Sequence, residues 1–173
     1  MAPVIAAYAP TFIVSSDLSR AAETARLVAA PLGLEVRLDP RLREFSVGDA
    51  REGRTWAEFC AAEPEQAAAV RAGDFGAVAG AEAPEQATAR FLPALAEAAQ
   101  AVQAGETGMV VAHGAVMRTA ALEFVGARSA GLALGGFDNC GFAVLDDSGS
   151  GFMGMPDGQA WRIRAWNRVA TGL

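Results

Sequence analysis

The chain has no lysine and a single histidine, His113. Without lysine, 14 arginines carry all the fixed positive charge, against 20 acids, for a net charge of -6. Binding a phosphate backbone needs clustered Lys or Arg. These arginines are scattered, and many lie beside acids in sequence, so nucleic acid is not expected as a partner. A few local arginines still suffice for a small anionic ligand. Two cysteines, Cys60 and Cys140, are too few for a disulfide framework or a zinc site. They are expected to be buried free thiols of a cytoplasmic protein. One histidine and no ligand spacing leave no case for a metal, and no cofactor is expected. No apolar run reaches the roughly 20 residues that span a bilayer. Residues 1–10 lack a basic region and are too short for a signal peptide.

What remains is a compact, alanine-rich chain of 173 residues, 52% hydrophobic and 20% charged. That length and composition suit one folded domain. Strand and helix signals alternate along it. Thr11 to Val14 is a short β-branched run and reads as a buried strand. Ser19 is placed to cap a helix over Arg20–Val28, closed by Pro31 and Gly33. Glu35 to Leu38 alternates as a half-exposed strand. Asp39 to Arg54 is a turn-rich loop. Thr55 and Glu58 have the spacing of a capping box. Beyond them Pro64, Gly73, Gly76 and Gly80 break the chain into short helices and loop, a flap beside a site. A long helix is predicted from Pro84 to Val102, with Phe91, Leu92, Leu95, Ala98, Ala99 and Val102 as its apolar stripe and Pro93 as a kink. Met109–Ala112 is a second buried strand. The helix after Gly114 turns Val116, Met117, Ala120, Ala121 and Phe124 inward. Phe142–Leu145 and Trp161–Trp166 form a closing hairpin across a Gly-rich connection. The pattern is that of a three-layer α/β/α sandwich with a mostly parallel sheet.

Ligands in such folds lie beyond the carboxyl ends of the strands. One strand ends at Ser15-Ser16, a short step before Arg20. Another ends at His113-Gly114, directly before a helix. There the backbone N–H groups of Gly114 and Ala115 would offer an anion site, and an imidazole beside them can donate to a phosphoryl oxygen or move a proton. A structural histidine is the plainer reading. Arg20 in a first helical turn opposes the helix dipole, which a shared anion would justify; a solvent-facing arginine is the alternative. Glu44, between Arg43 and Phe45, is open to partial burial and a role as general acid. Asp39, Asp49 and Glu52 are rivals, and a loop salt bridge with Arg41, Arg43 or Arg51 is the ordinary fate of such an acid. The run Gly149–Gly154 has no Lys-Ser/Thr after it and is not a phosphate loop. Ser15 and Ser16 lack a nucleophile elbow.

Four segments, in order, resemble the histidine phosphatase (phosphoglycerate-mutase-like) superfamily. They are Ser15-Ser16-Asp17-Leu18-Ser19-Arg20-Ala21-Ala22-Glu23-Thr24-Ala25; Asp39 to Phe45 with Gly48-Asp49 and Glu52 to Trp56; Val110-Val111-Ala112-His113-Gly114-Ala115-Val116-Met117-Arg118; and Asn139-Cys140 with the closing Trp161 to Asn167. The resemblance runs from Tyr8 on. It implies a phosphomonoester hydrolase lineage acting on small phosphorylated metabolites through a phosphohistidine, with inorganic phosphate as a further ligand. Arg20 and Gly114 would hold the phosphoryl group, His113 would stabilise it in transfer, and Glu44 would protonate the leaving oxygen.

The family's opening strand, ending in Arg-His-Gly, and most of the helix after it have no counterpart in the residues. The expectation is therefore a domain truncated at its N-terminus, without the nucleophilic histidine and inactive or nearly so. A late start, a non-catalytic phosphate-binding module and completion by a partner are competing origins. A phosphoglycerate-mutase-type phosphotransferase is a further alternative. Strands lacking a neighbour would expose unpaired backbone, and a homo-oligomer would cover it.

Overall fold

A computed structural model describes residues 2–48, 51, 53–72, 74, 78–124, 134–147 and 161–169. The first element is a helix, α1 (Ala2–Ala6), whose Ile5 is 6% exposed. It leads into β1 (Phe12–Ser15), α2 (Ser19–Ala29), β2 (Val36–Leu38), α3 (Trp56–Ala62), α4 (Pro64–Ala72), α5 (Pro84–Gln100), β3 (Gly108–Val111), α6 (Gly114–Phe124), β4 (Phe142–Asp147) and β5 (Trp161–Arg168).

The three strands β2, β1 and β3 form a parallel sheet with β1 in the middle. Side chains on a strand alternate between faces, and β1 shows how the layers follow. Ile13 packs with Ile5, Ala21, Ala25, Val28 and Val111 on the α2 side. Val14 packs with Phe45, Phe91, Ala94, Val116 and Ala120 on the α5 and α6 side. Being buried on both faces explains the continuous apolar run of this strand. The fold is an α/β/α sandwich around a mostly parallel sheet, with β4 and β5 as a separate antiparallel pair.

Several local readings change. Ser19 is the first residue of α2, not its cap. Leu18 holds the cap position and no side chain bonds there. Pro64 opens α4 instead of breaking the chain, as proline in a first helical turn can. Pro93 lies inside a helix assigned continuously over 17 residues. The capping box of Thr55 and Glu58 is present in both directions. The thiols are not buried: Cys60 is half-buried and Cys140 exposed. Asp49, Glu52, the Gly149–Gly154 run and the inward side chain of Phe124 lie outside the described residues.

Candidate active site

The parallel register sets Ser15 of β1 beside Val111 of β3. The Ser16 amide extends that pairing by donating to the Val111 carbonyl at 2.9 Å. Two strand ends 97 residues apart in sequence therefore meet, and His113 Nε2 lies 2.9 Å from Ser16 Oγ. Ser16 is 0% exposed and His113 7%. A Cβ at Gly114 would lie 3.3 Å from the Phe137 Cβ, so a larger residue after His113 requires Phe137 to give way by a few tenths of an ångström.

Glu44 reaches the same place from the loop after β2. Its carboxylate accepts the N–H groups of Ala115 at 3.1 Å and Val116 at 2.8 Å, the first turn of α6. The N–H of Phe45 adds a third bond at 3.1 Å. The anion site expected at the helix tip therefore already holds an anion of the protein's own. The salt bridges considered for Glu44 go elsewhere: Arg41 pairs with Asp39 and Glu97, Arg43 with Asp17, and Arg51 with Glu63.

Arg90 of α5 fixes the path of that loop, a role not apparent in the sequence. Its guanidinium donates to the backbone carbonyls of Arg41, Arg43 and Glu44 at 2.7, 2.8 and 3.0 Å, and it pairs with Glu82. It lies one helical turn from the buried Ala87 and Ala94, whose side of α5 carries it to the loop. Arg20 sits in the first turn of α2, exposed, and among the described residues no acid is bonded to its guanidinium. An open cleft of about 440 Å³ runs alongside Glu44, lined by Arg43, Ser46, Glu82, Gln86 and Arg90 among others. Neither His113 nor Arg20 lines it, so it flanks the strand ends. Among the described residues no three His, Cys, Asp or Glu side chains gather as a metal cage, and no helix is long and apolar enough to cross a membrane.

Burial, then the positive charges of Arg20 and Arg90, push the His113 pKa from 6.5 down to about 4. The folded ring is thus neutral at pH 7. The unfolded chain takes up its proton near pH 6.5, so between the two values the unfolded state binds more protons and stability rises with pH. The contribution is complete above the unfolded value and is lost as pH falls through that window. Urea unfolding should show a loss of about 2 kcal/mol between pH 7 and pH 5. Asp17 and Asp39, whose pKa values lie below 3.8, act at lower pH. The slope should flatten in His113→Asn. An equal slope in the variant would assign it to other groups.

Residues 1–167 match the model of the histidine phosphatase superfamily (branch 1). The chain is 33% identical over 180 residues to the glucosyl-3-phosphoglycerate phosphatase of Mycobacterium tuberculosis, covering 98% of this chain and 78% of the relative. The native structure of the mycobacterial glucosyl-3-phosphoglycerate phosphatase superposes with a TM-score of 0.77 at 31% identity, covering 98% and 83% of the two chains. Its complex with inorganic phosphate superposes with a TM-score of 0.73 at 29% identity, covering 96% and 81%, and the same enzyme also has a structure with VO3. A shorter stretch of 38 residues is 50% identical to a probable phosphoglycerate mutase of Enterobacter, covering 22% of this chain and 18% of that one.

These findings correct two expectations. The likeness does not begin at Tyr8, after a lost strand: it runs from residue 1 and takes in 98% of the chain. The expectation of a truncated fold is therefore withdrawn. So is that of an inert chain lacking its nucleophile, because the relatives it follows along that length are phosphatases, one of them seen with phosphate and VO3. The chain belongs to the histidine phosphatase superfamily, branch 1.

Proposed function

We propose that the chain is a competent phosphomonoesterase, which takes the phosphoryl group of a small soluble metabolite and hands it to water. The meeting of His113, Glu44 and the start of α6 at the strand ends, with the positive charge of Arg20 acting on His113, carries this reading. Arg20 would grip phosphoryl oxygens with its planar fork. The neutral His113 would hydrogen-bond the phosphoryl group as charge redistributes over it. In the reaction the ester P–O bond breaks, a P–O bond to water forms, and the leaving oxygen gains a proton. Glu44 would deliver that proton and take one back from the attacking water, which requires one of its oxygens to exchange a backbone N–H for the proton. The flanking cleft, with two arginines against two glutamates plus Ser46 and Gln86, is balanced in charge and would suit a hydroxyl-rich remainder.

Glucosyl-3-phosphoglycerate, named in the relatives at 33% identity, is the substrate to test first. Phosphate release from it should exceed that from 3-phosphoglycerate, and Arg20→Ala should raise KM and lower turnover. Phosphate release from neither, and none from a generic aryl phosphate, would refute the reading. The 38-residue match to a mutase favours a second one, transfer to another hydroxyl. Phosphorus NMR separates the two, since a positional isomer would then appear in place of inorganic phosphate.

A further inference from the structure

We infer that Ser16 is a positioning residue that fixes His113 as the Nδ1–H tautomer, by donating its hydroxyl hydrogen to Nε2. Among the described residues, the hydrogen bonds around Ser16 leave that hydrogen one destination. Its Oγ accepts the Leu18 N–H at 3.3 Å. Its own N–H is spent on Val111, and its carbonyl accepts the Ser15 hydroxyl at 2.9 Å. The contact that remains is Nε2, at 2.9 Å.

The reverse assignment, Nε2–H into Oγ, gives one oxygen two incoming N–H donors. It also leaves a hydroxyl hydrogen without an acceptor on a residue with no exposed surface. Buried donors in folded proteins are rarely left so. A hydroxyl that donates to Nε2 places the ring proton on Nδ1, because a neutral imidazole carries one N–H. A histidine side chain free in water favours the opposite tautomer, so the protein is selecting the less common form.

For the phosphatase reading, on which its catalytic meaning rests, the consequence is directional. His113 donates from Nδ1, and the Nε2 lone pair is occupied until the Ser16 hydroxyl turns away. Ser16 itself need not touch the phosphoryl group.

The test uses the one-histidine composition. Long-range nitrogen–proton NMR of the histidine-labelled, substrate-free protein at pH 7 reports a single imidazole. The expected spectrum shows a protonated Nδ1 and an unprotonated Nε2. Ser16→Ala should move the signals toward the Nε2–H form, and Ser16→Thr, which keeps the hydroxyl, should hold them. A parent spectrum with Nε2 protonated, or with both tautomers equally present, would overturn the inference without any variant having to fold. So would an unchanged spectrum in a folded Ser16→Ala. The measurement needs no turnover, so an inactive protein with the Nδ1–H ring refutes the phosphatase and leaves the role of Ser16 intact.

Discussion

Replacing His113 with asparagine should lower phosphomonoesterase turnover by roughly three orders of magnitude or more while the protein stays folded. The expectation of a large effect follows from composition first. No second histidine exists to take over either proton movement or a covalent role. It follows from electrostatics second. Burial and two guanidinium groups hold the ring neutral, with a pKa near 4, so it enters the reaction as a polarisable donor and not as a fixed charge. An asparagine amide can keep a hydrogen bond near the strand end but has no atom at the Nε2 position that Ser16 holds, so the direction of its donor is no longer fixed. The checks are phosphate release in steady state and urea unfolding at pH 7. Residual activity within about tenfold of the parent would place the chemistry elsewhere. An acid-labile phosphoprotein surviving in His113→Asn would do the same.

The parts of this molecule legible from sequence are those encoded by neighbours. Thr11 to Val14 and Met109 to Ala112 read as strands because β-branched and apolar residues recur there, although only Val111 of the second strand is buried. Two strand ends in a parallel sheet must lie at the same edge, which is why Arg20 and His113 could be placed near one site. Thr55 and Glu58 cap α3 because the box spans only four residues. Contacts between distant residues were not legible. Glu44 to Val116 spans 72 residues, Ser16 to His113 spans 97, and Arg90 reaches carbonyls 46 to 49 residues away. No period in the chain carries that information; the packing of α5 and α6 on the sheet creates it. The same limit explains the mistaken truncation. A motif missing from one position is a local observation. Agreement along 98% of the chain with phosphatases of the same fold is a global one, and it outweighs the first.

Glu44→Ala should destabilise the protein by about 2–4 kcal/mol and remove activity with it. The carboxylate closes the N-terminus of α6, where the first turn has N–H groups with no partner inside the helix. Two of them, from Ala115 and Val116, end on Glu44. Leaving a part-buried donor unsatisfied costs about 1–3 kcal/mol, and losing a negative charge from a helix N-terminus costs about 0.3–1 kcal/mol more. Water entering the space lowers the sum, so the range is kept narrow. Glu44→Gln should fall between parent and alanine, since it keeps one acceptor oxygen but turns an NH₂ toward an N–H. The vacated tip is itself an anion site. Inorganic phosphate should therefore raise the melting temperature of Glu44→Ala by more than it raises that of the parent, in which the carboxylate competes for the same donors. Thermal unfolding with and without phosphate reads both effects. An alanine variant that melts with the parent and responds equally to phosphate would mean that the α6 N–H groups do not depend on Glu44. In that case the carboxyl group would be free for acid catalysis alone.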